Sequence, residues 1–250
     1  MSCILEGERL LFSPANLERL VKGLLERAVV HEDYAFSIEG HPNNTTYEHL
    51  ETLFGLGFRR ISYGVQDLNP EVQRIIHRIQ PFERLQEATL AAREAGFTGV
   101  NFDIIYGLPA QSREHLRLTL LQSVSLRPDR LAFYSYAPYA VGQLFAAADR
   151  RTAIAESRRE AGIVFPGREF LASAGYFNIG MDHFALPMDE LYRAWRGNSL
   201  HRNFMGYTTQ NSGMLIGLGM SAISDTGTAF AQNDKTLGAI TRGFVQGSCL

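Results

Sequence analysis

Cysteine is nearly absent from this chain: Cys3 and Cys249 are the only two in 250 residues, one near each end. A pair so widely separated makes neither a metal-ligand cluster nor a disulfide framework, and no residue group is assigned to a metal. Lysine is almost as rare, since Lys22 and Lys235 are the only two among 24 basic residues. Charge of one sign is not in excess either. The net charge of −2 gives no electrostatic reason to expect a nucleic-acid partner or an anionic membrane surface. No apolar run reaches the roughly 18 residues needed to span a bilayer. A charged-then-apolar leader with a small-residue cleavage site is also missing, so the chain is expected to be cytoplasmic. No linker rich in Pro, Gly or Ser divides it. With 45% hydrophobic residues it has enough apolar material for one sizeable core, and residues 1–250 are expected to form one domain.

What is present is a repeated unit of helix, glycine, aromatic residue and strand. It occurs at Leu56-Gly57-Phe58, Ala95-Gly96-Phe97 and Ala174-Gly175-Tyr176. Glycine ends a helix cheaply because it adopts the left-handed conformation without a Cβ clash. Helix starts are marked by Ser13-Pro14, by Thr45 with Glu48 as a capping box, and by Asn69-Pro70. Helical spacing places Leu17, Leu20, Val21, Leu24, Leu25 and Ala28 on one face. It also puts Val72, Ile75, Ile76 and Ile79 on the buried side of the helix opened by Asn69-Pro70. A further helix is expected from Glu83 to Ala95. Apolar strands are expected at Ala35–Glu39, Arg60–Gln66, Val100–Tyr106, Arg130–Tyr136 and Tyr176–Asp182. Strands alternating with helices indicate an α/β fold with a parallel sheet and right-handed crossovers. Five units reach about residue 196, too few to close an eight-stranded barrel. Ser212–Asp225, rich in Gly and Ser, need not be helical.

In such folds chemistry gathers at the carboxyl ends of the strands. Those ends carry Glu39, Gln66 with Asp67, Asp103, Tyr134 with Tyr136, and Asp182 with His183. Asp103 lies within an apolar strand, where a carboxylate must be hydrogen-bonded, paired or in contact with a ligand. The residues themselves indicate a ligand pocket without specifying a reaction. One chemistry they leave open is acid–base work by Glu39 and Asp103. Other groupings carry less. Asp182 and His183 are adjacent on an expected strand and would point to opposite faces. His77-Arg78 is a natural complement to a helix dipole, and Gly217-Leu218-Gly219 is too short for a phosphate loop.

Several strings occur in a telling order. They are Ser37-Ile38-Glu39, Tyr63-Gly64-Val65-Gln66-Asp67, Arg78-Ile79-Gln80, and Asn101-Phe102-Asp103-Ile104-Ile105-Tyr106-Gly107-Leu108-Pro109. Arg127-Pro128-Asp129-Arg130, Ile179-Gly180-Met181-Asp182-His183-Phe184-Ala185, Leu200-His201-Arg202-Asn203-Phe204 and Ala231-Gln232-Asn233 follow. From about Phe12 to about Leu237 the chain resembles the oxygen-independent coproporphyrinogen III oxidases of the radical S-adenosylmethionine (SAM) family. The resemblance implies a partial (β/α) barrel with helices outside the parallel strands. It also implies SAM and a 4Fe–4S cluster as cofactors and a tetrapyrrole substrate in haem biosynthesis. In that family a radical made from SAM abstracts hydrogen from a propionate, and loss of carbon dioxide leaves a vinyl group. By the same resemblance Glu39, Gln66, Arg78 and Asp103 are polar contacts to SAM, and Ala137 and Ile223 are apolar or backbone contacts. Arg202 is expected to meet a substrate carboxylate. An electron donor is implied, and the family likeness points to a monomer.

The sequence departs from the family pattern at both ends. The three-cysteine motif that holds the cluster has no counterpart, and the glycine-rich loop and first barrel strand are expected to be missing with it. Residues 197–237 match a family-specific segment, whereas 238–250 match nothing in it. Met205 stands where the family commonly has Gln, and Gly40-His41 replaces a pair in which Asp commonly precedes Pro. The implied alternative to the oxidase is a cluster-free relative that only binds SAM or a tetrapyrrole.

Overall fold

Seven strands form one sheet, running from β1 (Ser2–Leu5) through β2 (Ala35–Gly40), β3 (Phe58–Gln66), β4 (Gly99–Tyr106) and β5 (Arg130–Ser135) to β7 (His183–Ala185) and then β6 (Phe177–Gly180). The computed structural model describes residues 2–5, 12–32, 34–136, 166–203, 206–211 and 213–236. Its chain divides into two units, Met1–Ser199 and Leu200–Leu250, and the large sheet lies in the first. β1 (Ser2–Leu5), β2 (Ala35–Gly40), β3 (Phe58–Gln66), β4 (Gly99–Tyr106) and β5 (Arg130–Ser135) are mutually parallel. The parallel α/β architecture is therefore the expected one.

The helices begin and end for local reasons. Ser13 caps α1 (Pro14–Leu25), with its side chain accepting from the Asn16 amide. Asn69 caps α3 (Pro70–Ile75) by accepting from the amides of Glu71 and Val72. α4 is Phe82–Glu94 and α5 is Arg113–Ser125. α6 covers residues 166–173, and α7 is Glu190–Arg196, capped by Asp189. Gly57, Gly96 and Gly175 all take positive φ, at 99°, 101° and 90°, as helix-ending glycines should.

Alternation along the strands divides the sheet into two unlike faces. Phe36 and Ile38 of β2, Ile61, Tyr63 and Val65 of β3, Phe102 and Ile104 of β4, and Leu131 and Phe133 of β5 are buried in one core. Leu17 and Val21 of α1, Leu85 of α4 and Leu116 and Leu120 of α5 complete it, with Leu50 and Leu53 from α2 (Tyr47–Gly55). The opposite face carries Ser37, Glu39, Ser62, Asn101, Asp103 and Tyr134, which are not fully buried.

Four local expectations are corrected. Ala35–Glu39 is the first strand expected from the sequence, but β1 precedes it and pairs with it, Cys3 opposite Phe36. The run Tyr176–Asp182 is not one parallel strand. It divides into β6 (Phe177–Gly180) and β7 (His183–Ala185), a hairpin whose β7 runs antiparallel to β5, because Met181 and Asp182 turn the chain at φ 47° and 66°. α2 is capped by Thr46, not Thr45, and its capping-box partner is His49; Thr45 instead donates to the His41 carbonyl at 3.0 Å. α3 stops at Ile75, so Ile75 and Ile79 are exposed, while Val72 and Gln73 are buried.

The second unit contains two antiparallel hairpins: β8 (His201–Asn203) with β9 (Gly206–Thr208), and β10 (Ile223–Asp225) with β11 (Phe230–Gln232). No described residue from 213 to 225 is helical. Among the described residues no helix is long and apolar enough to cross a membrane.

Candidate functional site

Strand register brings the polar strand-end residues together. Glu39 lies opposite Ser62, Ser62 opposite Asn101, and Gly64 opposite Asp103. Asp103 in turn lies opposite Ala132, and Ala132 opposite His183. Residues paired in this way share a face, so Glu39, Asp103 and His183 look out from the side away from the helical core. The Ser62 hydroxyl sits 3.4 Å from both carboxylate oxygens of Asp103, linking the row that contains Glu39 to the row that contains Asp103.

Gln66 and Arg78 reach the same place from the end of β3. Register shifts between Gly64 and Gln66, and Gln66 has a left-handed φ of 62°, an uncommon conformation for a non-glycine residue. Its Oε1 is buried and has no hydrogen-bond partner among the described residues. Arg78 donates from Nη2 to the Gly64 carbonyl at 2.7 Å. A Cβ on Gly64 would lie 2.8 Å from both Arg78 Nη2 and Gln66 Nε2. Gly64 thus leaves the space these two side chains occupy.

The next residue fixes this loop. Asp67 is fully buried. Its Oδ1 accepts from the Asn69 amide at 2.6 Å and from Thr119 Oγ1 at 3.1 Å, and its Oδ2 accepts from Gln111 Nε2 at 2.6 Å. Gln73 Nε2 donates to the carbonyls of Asp67 and Gln80, while the Gln80 amide donates back to Gln73 Oε1 at 3.0 Å. The Gln-Asp and Arg-Ile-Gln strings are therefore parts of one clamp. Asp67, Gln73 and Gln80 hold the backbone, and Gln66 and Arg78 face the site.

Two groups on this face play a larger part than the sequence suggested. At the amino ends of the strands, Arg60 Nη2 meets Asp189 Oδ2 at 2.9 Å and Arg130 Nε meets Asp189 Oδ1 at 2.7 Å. Glu190 Oε1 lies 3.1 Å from both guanidinium groups. Burial alone would raise the Asp189 pKa, but Arg130 and Arg60 outweigh it and hold the carboxyl below its ordinary value. The Arg130 pKa is lowered, by burial first and by Arg60 second. Nothing in the local sequence around Asp189 announced this network, which joins residues more than a hundred positions apart. At the other end of β5, Tyr134 Oη lies 3.4 Å from His183 Nε2. Burial pushes the Tyr134 pKa up to about 12, helped by the negative charges of Asp103, Asp182 and Glu39. Burial, then Arg130, lowers that of His183, against Asp182.

The remaining expected contacts are placed separately. Ala137 lies outside the described residues, as does Met205. Ile223 opens β10 in the second unit, where its backbone packs against Gly217. A Cβ on Gly217 would lie 2.6 Å from the Ile223 carbonyl oxygen. Asn233 Nδ2 donates to the carbonyls of Gly217 and Gly219 at 3.1 and 2.8 Å, tying down the loop beside Ile223. Arg202 is an exposed residue of β8, paired across the hairpin with Tyr207.

Residues 4–122 match the model of the radical SAM superfamily. This segment belongs to that superfamily. Over 232 residues the chain is 41% identical to the oxygen-independent coproporphyrinogen III oxidase of Helicobacter pylori (strain ATCC 700392 / 26695), covering 92% of this chain and 51% of that protein. It is 44% identical over 226 residues to the oxidase of the same name from Escherichia coli (strain K12), covering 89% and 49%. A solved structure of coproporphyrinogen III oxidase from Escherichia coli, described as a radical SAM enzyme, matches with a TM-score of 0.85 and 41% identity. That match covers 96% of this chain and 56% of the other. The chain spans about half the length of the curated relatives it matches.

The radical SAM superfamily implies SAM and a 4Fe–4S cluster. The face bearing Glu39, Gln66, Arg78 and Asp103 fits SAM, because a buried amide oxygen without a partner among the described residues, two carboxylates and a guanidinium suit its ammonium, hydroxyl and carboxylate groups. The cluster is not matched by this chain's residues. Iron–sulfur clusters are held chiefly by cysteine thiolates, and the chain has two cysteines. Among the described residues no group of three or more His, Cys, Asp or Glu is placed to hold a metal.

Proposed function

We propose that this chain is the SAM-binding portion of an oxygen-independent coproporphyrinogen III oxidase. The observation that carries the proposal is the convergence of Glu39, Gln66, Arg78 and Asp103 at the carboxyl ends of β2, β3 and β4. In this reading Asp103 and Glu39 accept from the ribose hydroxyls and the ammonium of SAM, and Arg78 pairs with its carboxylate. Arg202, exposed on β8, meets a carboxylate of the tetrapyrrole. When bound, SAM supplies the radical chemistry for which the superfamily is named. The reaction of the whole oxidase converts two propionates of coproporphyrinogen III into vinyl groups with loss of carbon dioxide, giving protoporphyrinogen IX. It runs in the cytoplasm, in a monomer supplied by an electron donor.

A second reading is favoured by one observation, the presence of only two cysteines. In that reading the chain binds SAM or a tetrapyrrole without radical chemistry.

Titration calorimetry of the 250-residue chain with SAM tests the common element. The chain is expected to bind, and Asp103→Ala to weaken binding by about 1–3 kcal/mol; unchanged affinity would remove Asp103 from the site. The intact mass of the protein in its own cells separates the two readings. A product well above 27.9 kDa favours the oxidase, and one of that size favours the binding-only relative.

A further inference from the structure

The turn after β2 contains Gly40-His41, where the family commonly has Asp before Pro, and it is built around His41. The His41 carbonyl accepts from the amides of Asn44 at 2.9 Å and Thr45 at 3.1 Å, and from the Thr45 hydroxyl at 3.0 Å. His41 is 9% exposed, and its Nδ1 accepts from the Asn43 amide at 3.2 Å. A ring nitrogen that accepts carries no proton, so the imidazole is neutral with its hydrogen on Nε2. His41 thereby does what Asp does in an Asx turn, accepting from the amide two positions on and folding the chain back. A Cβ at Gly40 would crowd this turn, lying 3.0 Å from both Thr45 Oγ1 and the Tyr63 ring.

What the turn delivers is the Asn43 side chain. Its Nδ2 donates to the Ile79 carbonyl at 2.8 Å, 36 positions along the chain, and Ile79 is the neighbour of Arg78. Residues 78–80 are also held by α3. The Arg78 amide donates to the Gln73 carbonyl at 2.8 Å, and the Gln73 side chain bonds both the amide and the carbonyl of Gln80. This short segment is thus fastened from two elements, α3 through Gln73 and the β2–α2 turn through Asn43. Removing the second fastening leaves its backbone held from α3 alone, so more freedom must be lost when a ligand binds.

We propose that Asn43 is a positioning residue for Arg78, and that His41 supports it. Asn43 fixes the backbone from which Arg78 extends, so that the guanidinium is already in place to meet the carboxylate of SAM. This rests on the reading of Arg78 above. It adds two residues that act without touching the ligand, and their effect is confined to ligands that carry the carboxylate.

The test compares the affinity of the 250-residue chain for SAM and for decarboxylated SAM, which lacks the methionyl carboxylate. Arg78→Gln sets the reference and is expected to weaken SAM while sparing the decarboxylated ligand. Asn43→Ala is expected to do the same to a smaller degree, about three- to tenfold, the usual worth of one hydrogen bond. In the Arg78→Gln background it is expected to add nothing, because both changes act on one contact. His41→Ala is expected to copy Asn43→Ala. His41→Asn, whose Oδ1 stands in for Nδ1, is expected to bind SAM like the unmodified chain. Asn43 is exposed, so its truncation leaves the core intact; if circular dichroism nonetheless shows unfolding, Asn43→Asp keeps the shape and removes the donor. Equal weakening of both ligands by Asn43→Ala would mean that the bond serves only the fold of the turn. Unchanged affinity for both would mean that it does not act on Arg78, and in either case the inference falls alone. Full additivity of Asn43→Ala with Arg78→Gln overturns it too. If Arg78→Gln weakens neither ligand, or both alike, Arg78 is not the carboxylate contact, and the site reading falls with the inference.

Discussion

Arg78 donates a 2.7 Å hydrogen bond to the carbonyl of Gly64, and Gly64 stands directly in register with Asp103. A guanidinium supplied by the segment after α3 is thereby fixed beside a carboxylate supplied by β4. The missing side chain at position 64 makes the arrangement possible, which separates binding from stability. In Gly64→Ala the atoms nearest the new Cβ would be Arg78 Nη2 and Gln66 Nε2, each at 2.8 Å, and both are the far ends of flexible side chains. Alanine is also better than glycine in a strand interior. Gly64→Ala is therefore expected to change unfolding free energy by about 1 kcal/mol or less, while SAM affinity falls at least about tenfold. Urea denaturation and calorimetry measure the two effects independently. A parallel loss of both would mean that Gly64 serves the sheet and not the ligand.

The opposite end of the same face makes the contrary prediction, large for stability. The Asp189 side chain is 1% exposed and bridges Arg60 and Arg130, whose side chains are 13% and 15% exposed. Its Oδ1 also caps α7 by accepting from the Leu191 amide at 2.7 Å. Asp189→Ala leaves two buried guanidinium groups with the half-exposed Glu190 as their shared carboxylate and, for Arg60, a 3.5 Å contact to Asn101 Oδ1. The expected cost is about 3–5 kcal/mol, typical of removing one partner from a buried ion pair, with roughly 1 kcal/mol more for the cap. Asp189→Asn, which can keep the cap, should fall between Asp189→Ala and the unmodified chain in urea denaturation. Equal stability of all three would show that the network contributes nothing.

These two ends differ in how far the sequence revealed them. Glu39, Gln66 and Asp103 were legible because a parallel sheet gathers the carboxyl ends of its strands, and each stood at or near such an end. Arg78 was legible only through the family resemblance. By local chemistry it resembled a helix-dipole partner, because the bond to Gly64 spans a turn whose path the sequence does not show. The Asp189 network was invisible for the same reason, since its partners are 129 and 59 positions away and each alone looks like an ordinary surface charge. The hairpin at Met181-Asp182 was missed because methionine does not favour left-handed backbone and a lone Asp is a weak turn signal, so the apolar run read as one strand. Helix ends marked by Gly57, Gly96, Ser13 and Asn69 were read correctly, since a cap needs only its nearest neighbours.

His183 links this hairpin to pH. Burial and then Arg130 lower its pKa below 6.5, and Asp182 opposes them only in part. The imidazole also lies against Tyr134, which stays protonated with a pKa of about 12. A base with a depressed pKa in the folded state binds fewer protons there than in the unfolded chain. Its stabilising contribution is therefore complete above pH 6.5 and is lost as pH falls from there through the folded-state pKa. Asp189 behaves in the same sense but in a separate window, below its ordinary value of 3.8. Between about pH 7.5 and about pH 5.5 the melting temperature of the unmodified chain is expected to fall more steeply than that of His183→Gln. The difference between the two slopes isolates His183 from the chain's six other histidines. Equal slopes would mean that the imidazole protonates as readily in the folded protein as in the unfolded one, and that Arg130 and the surrounding burial do not govern its charge.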